Sequence, residues 1–385
     1  MTVAAGRFPG AHDGWARFDG PGGTLMVDVA IEAMRRYLES GDAANLGGAF
    51  AASHRTDELV QQGREAVARL LGTTADGIVF GANMTTLTFA FTRAVGRSLV
   101  PGDEIVCTEL DHDANVTPWA LMAGEHGARV ALAELDPESG TLPVEAVVDR
   151  ITERTRWVAV TGASNLVGTT PDLVPMIEAA HAAGARVYVD AVALVPHRRV
   201  DVSALGCDAL VTSPYKWYGP HAGVLALTPE LVDEVEPYRV RPAPNVGPGR
   251  LETGTKSFES IAAIEAAADF LRAEHDAGLA DEDAELFVVL LDGLLSMSHL
   301  RIVGPRTVAD RTPTVLVNVD GVHPDEVVLA LARDRVAAWS GANYAVETAR
   351  ALGIADTGSG VRLGLARYTT PEDVQRVLRA IDGLR

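Results

Sequence analysis

Residues 186–220 read RVYVDAVALVPHRRVDVSALGCDALVTSPYKWYGP, and this stretch decides the fold. A β-branched apolar run ends at Asp190, a turn-rich segment follows, and a second apolar run, ALVTS, leads into Lys216. Short continuous apolar runs separated by helix-length spacers are the pattern of parallel strands covered on both faces. The carboxyl ends of such strands converge on one crevice, so Asp190 and Lys216 can face a single small molecule.

The pattern extends outward in both directions. IVFGA, EIVCT, RVALAEL and RWVAVTG precede the stretch and GVLAL follows it, with helical patterns such as TTLTFAFTRAV, LPVEAVVDRIT and DLVPMIEAAHAAG between the early runs. This predicts an α/β fold with a mostly parallel seven-stranded sheet in a large domain over residues 51–250. Beyond the Pro- and Gly-rich RPAPNVGPGRLETGT come two long helices, about 257–276 and 281–297, and then the strand runs PTVLVNV and VRLGLA. Residues 251–385 are therefore expected to form interdomain helices and a small α+β domain. The N-terminal segment 1–50, with its helix DVAIEAMRRYLES, is expected to pack with that small domain.

Composition removes several classes of function. The chain of 385 residues carries a formal net charge of -19, which repels a phosphate backbone and argues against nucleic acid as a partner. Cys107 and Cys207 both sit in apolar stretches and read as buried reduced thiols. No run has the length of a membrane span or the shape of a signal peptide, so a soluble cytoplasmic protein is expected. Ten histidines are scattered without HExxH spacing or paired cysteines, leaving no metal site. DGPGGT lacks the spacing of a phosphate loop and reads as a structural turn. TGSGVRL places Leu363 where a dinucleotide fingerprint needs its third glycine.

Of the 33 basic residues only Lys216 and Lys256 are lysines. Arginine can replace lysine in salt bridges but cannot readily condense with an aldehyde, so each lysine invites a chemical reading. An amine and a carboxylate at neighbouring strand ends are what pyridoxal 5'-phosphate requires, the first for its aldehyde carbon and the second for its pyridine nitrogen. Taken singly, Asp190 reads equally as a strand-end cap and Lys216 as a surface lysine. GANMTTLTFAF adds a helix opening at Met84, Thr85 and Thr86 behind a capping Asn83, suited to a phosphate dianion and equally to a plain capped helix. ELDHDANVTPW places His112 after a strand, where an imidazole can stack on the pyridine face. RWVAVTGASNLVGT places Asn165 where it can bond the phenolic oxygen.

In order along the chain, TTLTF, DHDANVTPW, SNLVGT, VDAVA, SPYKWYGP, LETGT and VRLGLARYTTPEDV resemble the class V aminotransferase-fold enzymes, above all the cysteine desulfurase and selenocysteine lyase group. The resemblance runs from about Phe18 to the C-terminus and implies the fold type I architecture of pyridoxal-phosphate-dependent transferases. It implies Lys216 as the aldehyde-binding lysine, Asp190 as the pyridinium partner and His112 as the ring stacker. Asn165 becomes the phenolate contact, and Met84, Thr85 and Ser213 the phosphate contacts. Thr255 would reach the phosphate of a neighbouring subunit, which implies a homodimer. Arg362 would clamp the substrate α-carboxylate; its plainer alternative is a surface salt bridge.

The chain departs from that group at several points. The loop that carries the desulfurase cysteine, roughly G-H-H-C-A, is here SGANYA, with Tyr344 at the cysteine position. A phenol cannot replace a thiolate nucleophile, so persulfide chemistry is not expected. The group's glutamine three residues beyond the aspartate is Ala193, the histidine before the lysine is Tyr215, which can still donate to phosphate, and an arginine near the catalytic loop is Trp339. The expectation is a pyridoxal-phosphate-dependent lyase that eliminates a β-substituent from a cysteine-derived amino acid, with Tyr344 beside the substrate. A class V aminotransferase or decarboxylating deaminase uses the same residues, and an idle scaffold without catalysis would not need Lys216.

Overall fold

The computed structural model of the protein describes residues 5–278 and 280–384; residues 1–4 of the N-terminal segment, residue 279 and residue 385 lie outside it. β1 (Ala16–Arg17) belongs to the N-terminal segment. The large sheet comprises β2 (Ile78–Gly81), β3 (Glu104–Thr108), β4 (Arg129–Ala133), β5 (Thr155–Thr161), β6 (Arg186–Asp190), β7 (Ala209–Thr212) and β8 (Gly223–Leu227). Its order is β2-β8-β7-β6-β5-β3-β4. β3 to β7 run parallel, while β8 is antiparallel to both β7 and β2. The connections reverse direction between β3 and β5, which makes the carboxyl ends of these strands the ligand crevice of an open α/β sheet.

Every residue of β3, β7 and β8 is buried, as the unbroken apolar runs require. Helices cover both faces: α1 (Asp28–Glu39), α2 (Ala51–Leu71), α3 (Met84–Gly96), α4 (Thr117–His126), α5 (Val144–Val148), α6 (Leu173–Ala182), α7 (Val202–Leu205) and α8 (Pro229–Glu234). On β6, Val187 and Val189 face a core shared with Val67, Met176 and Ile264, whereas Tyr188 between them packs with Phe91, Trp119 and Trp157 on the other face. The LPVEAVVDRIT pattern yields only the five-residue α5. Thr152 donates its amide to the Thr155 hydroxyl at 2.8 Å and turns the chain toward β5, while the β-branched residues before it favour helix continuation weakly.

α9 (Phe258–Asp276) lies against α1 and α2 and contributes to the first of these cores, while α10 (Ala280–Leu295) contributes to a third. That third core lies under β9 (Leu300–Val303), β10 (Thr314–Val319), β12 (Trp339–Ser340) and β13 (Val361–Gly364), ordered β12-β13-β10-β9, and α11 (Pro324–Arg333) and the C-terminal helix α12 (Pro371–Asp382) help to close it. Part of the N-terminal segment joins it: β1 pairs in parallel with β11 (Val336–Ala337), and Phe18 is fully buried there, whereas Phe8, Val27 and, on α1, Ala30 belong to the first core instead. Among the described residues no helix is long and apolar enough to cross a membrane.

Candidate active site

β6 delivers Asp190 to the crevice with its carboxyl buried and its Oδ1 accepting from the Val192 amide at 2.9 Å. Burial pushes that carboxyl up to about 6, against the pull of the Val192 N–H and of Lys216. Past the end of β7 the chain makes a tight turn, Pro214–Lys216, that docks on the N-terminal segment. Thr24 donates its amide to the Tyr215 carbonyl at 2.9 Å, and its hydroxyl donates to the same carbonyl and accepts from the Tyr218 amide, both at 3.0 Å. These bonds hold Tyr218 at φ 71, a left-handed conformation that a tyrosine adopts only under constraint. Lys216 Nζ donates to the Pro21 carbonyl. Burial, helped by the Arg362 guanidinium, pulls the amine down to about 7.

Lys216 and Asp190 line one cavity of about 750 Å³ together with His112, Met84, Thr85, Asn165, Tyr215, Tyr344 and Arg362. Met84 and Thr85 open α3, and Asn83 caps it by accepting from the Thr86 amide at 2.8 Å, so the positive end of the helix faces the cavity. β8 approaches this helix start closely: a Cβ at Gly223 would lie 2.4 Å from the Asn83 carbonyl carbon. His112 accepts from the Ala114 amide through Nδ1 at 3.0 Å, which leaves the ring proton to Nε2. Burial and the neighbouring Lys216 lower this imidazole to about 4, so it is neutral at pH 7.

The Tyr344 ring stacks on His112, 5.4 Å between centroids and 22° between planes. Its loop carries two consecutive left-handed residues, Asn343 at φ 50 and Tyr344 at φ 64. Two bonds from the crevice hold it: the Asp113 amide to the Tyr344 carbonyl at 2.8 Å, and Asn165 Nδ2 to the Asn343 carbonyl at 2.7 Å. Asn165 Oδ1 is left buried and unpaired. Arg362, 4 % exposed on β13, donates to the Asn165 carbonyl at 2.7 Å and keeps its Nε unpaired. Burial lowers its guanidinium to about 10, and among the described residues no carboxylate forms an ion pair with it. A surface salt bridge is thus not its setting.

Two of the sequence-derived residues are not on the cavity wall. Ser213 is fully buried just before the lysine turn with its hydroxyl unpaired, and Thr255 is exposed outside the cavity. Sequence reasoning missed Pro21 and Gly22, which line the cavity although DGPGGT reads as a turn, and also Phe89, Asp113 and Pro118. Asp111 was missed as well. It is buried next to His112 in the chain, takes hydrogen bonds from Thr108 and from Asn115 (2.7 Å), and is pushed up to about 8, chiefly by burial. Neither cysteine lines the cavity. Cys107 and Cys207 are buried, and burial raises both thiols, Cys207 to about 12.

The residues present fit pyridoxal 5'-phosphate. A buried amine near neutrality suits the aldehyde, a buried carboxyl the ring nitrogen, a helix N-terminus the phosphate, and the unpaired Asn165 Oδ1 and Arg362 Nε are buried polar atoms that a ligand can satisfy. Comparisons with known proteins agree. Residues 17–377 match the family model described as aminotransferase class-V. An uncharacterised protein of Mycobacterium tuberculosis is 32% identical over 98% of both chains, and a cysteine desulfurase of Pectobacterium atrosepticum is 30% identical over 91% of this chain and 88% of its own. Among solved structures, the cysteine desulfurase of Thermococcus onnurineus superposes with a TM-score of 0.90 at 26% identity, covering 96% of this chain and 94% of that one. CsdA, a cysteine desulfurase of Escherichia coli, gives 0.89 at 27%, covering 98% and 96%. The chain therefore belongs to the class-V aminotransferase family, as a pyridoxal-phosphate-dependent enzyme related to the cysteine desulfurases.

Proposed function

We propose that this enzyme is a lyase that acts at Cα of a cysteine-derived amino acid and expels its β-substituent, without forming a persulfide on the protein. The observation that carries this reading is the cavity's inventory: Lys216, Asp190 and an ion-pair-free Arg362 converge on it, while both thiols are buried elsewhere and Tyr344 occupies the loop. With no thiolate to attack sulfur, loss of the β-substituent is the outcome that needs no second nucleophile.

When bound, pyridoxal 5'-phosphate supplies an aldehyde for amines and a ring that withdraws electrons from Cα. Lys216 would hold the aldehyde carbon, Asp190 the ring nitrogen, His112 the ring face and Asn165 the phenolic oxygen. Met84, Thr85, Ser213 and Tyr215 would hold the phosphate, with Thr255 reaching the neighbouring subunit's phosphate in a homodimer. Arg362 binds the substrate carboxylate through its planar fork and thereby orients the Cα–H bond. Lys216 Nζ, near neutrality, takes the Cα proton and can return it. Asp190, raised by burial only to about 6, is mainly the carboxylate at pH 7 and would accept from a protonated ring nitrogen, a charge-assisted bond that its buried setting strengthens.

The test is incubation of the holoenzyme with cysteine S-conjugates. One water and one conjugate should yield one thiol, one pyruvate and one ammonium, read by coupled reduction of the keto acid. Amino transfer to a keto acid with no thiol released, or persulfide and alanine as products, would overturn the proposal in favour of an aminotransferase or a desulfurase.

A further inference from the structure

The cavity wall presents two basic side chains, Lys216 and Arg362, and the proposed function, on which this inference rests, engages both. His112, at about 4, adds no positive charge at pH 7. The charged side chain left over is Asp113, whose Oδ1 accepts from the Thr117 hydroxyl at 2.8 Å. A second carboxylate on the substrate would meet this acid and no free cation.

Apart from Thr117, Thr161 and Asn343, the remaining wall is largely aromatic and apolar. Phe89 lies one helical turn beyond Thr85 on α3, and Pro118 opens α4. Trp339 sits directly opposite Arg362 in the β12–β13 ladder, the position where the resembled group carries an arginine. Gly22 lets the indole close over the site: a Cβ there would lie 2.7 Å from Trp339 Nε1 and 3.5 Å from Arg362 Nη2. Trp339 and Tyr344 are 55% and 75% exposed, two large rings left facing solvent at the cavity edge. An apolar substituent reaching past Arg362 would cover such rings, gaining the burial that they lack.

We propose that the site selects amino acids with a single carboxylate and an uncharged alkyl or aryl β-substituent, with Trp339 and Tyr344 as the residues that determine this specificity. In a desulfurase-like frame, exchanging an arginine for Trp339 trades recognition of an anion for recognition of a hydrophobic group.

Matched ligands test this on the holoenzyme. S-propyl-cysteine and S-carboxymethyl-cysteine share their length and thioether and differ in the terminal carboxylate, and S-aminoethyl-cysteine tests a terminal cation. Apparent dissociation constants are read from the change in cofactor absorbance on mixing, whichever bond subsequently breaks. S-propyl-cysteine should bind about tenfold or more tightly than either charged ligand. Trp339→Arg should narrow or invert the gap to the carboxymethyl ligand, and Trp339→Leu, which keeps an apolar wall, should preserve its direction. Equal or tighter binding of either charged ligand, or no spectral response to S-propyl-cysteine, overturns the proposal. If Trp339→Arg does not fold, the wild-type comparison still decides. Preference for the propyl ligand without pyruvate would uphold the pocket and sink the elimination reading. Pyruvate formed equally well from all three would do the reverse.

Discussion

The amine of Lys216 and the carboxyl of Asp190 line the same cavity without forming an ion pair, and each is displaced toward its neutral form. A close pair would drive both toward charge, so the shifts, about 7 for the amine and about 6 for the carboxyl, report burial as the winning effect. Two groups held apart and partly neutral near pH 7 can exchange protons with a ligand placed between them. Lys216→Ala should abolish borohydride labelling of the holoenzyme and lower turnover by about 10³-fold or more. Asp190→Asn should retain labelling and lose about 10²-fold in kcat with little change in KM. Labelling that persists in Lys216→Ala would assign the chemistry to another residue.

Arg362 is a buried guanidinium with an unpaired Nε and, among the described residues, no carboxylate in ion-pair contact, Asp19 acting on it only through space, so a substrate anion is the direct partner its chemistry calls for. Arg362→Lys keeps the charge and loses the planar fork. It should raise KM for amino-acid substrates by about 30-fold, or ~2 kcal/mol, with a smaller effect on cofactor affinity. An unchanged KM would return Arg362 to a structural role.

The strand runs of residues 78–227 were legible because a doubly covered sheet demands unbroken apolar strands, and such runs survive as local pattern. Their carboxyl ends place Asp190, Lys216, His112 and Asn165 almost by themselves. Pro21 was not legible: its carbonyl meets Lys216 across 195 positions, and nothing local marks which distant donor a backbone carbonyl will meet. Asp111 was hidden for a related reason, since burial by distant strands, and no motif, sets its protonation. Ser213 lies off the cavity wall, and Thr255, expected to serve a neighbouring subunit, lies off the wall of its own chain's cavity.

The second lysine has a structural account. Glu252 is buried and accepts from Arg64 Nη2 at 2.8 Å and from the Phe80 amide at 2.9 Å, and it pairs with Lys256 at 2.8 Å. The carboxylate thus ties the turn carrying Thr255 to α2 and β2. Glu252→Gln leaves the buried Arg64 cation uncompensated and should cost about 3 kcal/mol in denaturant unfolding. A loss below about 0.5 kcal/mol, the level of an ordinary surface substitution, would show that the cluster does not hold the fold.

Asp111 allows a test of burial that is independent of catalysis. Its carboxyl is fully enclosed and raised from 3.8 to about 8, first by burial and then by the nearby Asp190, with the Thr108 and Asn115 hydrogen bonds opposing. A raised folded value favours the neutral acid, so its contribution is fully present below pH 3.8 and is lost as pH rises toward 8. Asp111→Asn has the size of the neutral acid and cannot ionise, while Asp190 titrates in both proteins and largely cancels from their difference. Stability of the variant relative to the parent should therefore climb by about 2 to 4 kcal/mol between pH 5 and pH 8 and level off above. Thermal or denaturant unfolding at pH 5, 7 and 9 reads this directly. A difference that stays flat or falls with pH would mean that Asp111 is ionised in the folded protein. The Thr108 and Asn115 hydrogen bonds would then outweigh burial, and the crevice floor beside His112 would carry a negative charge.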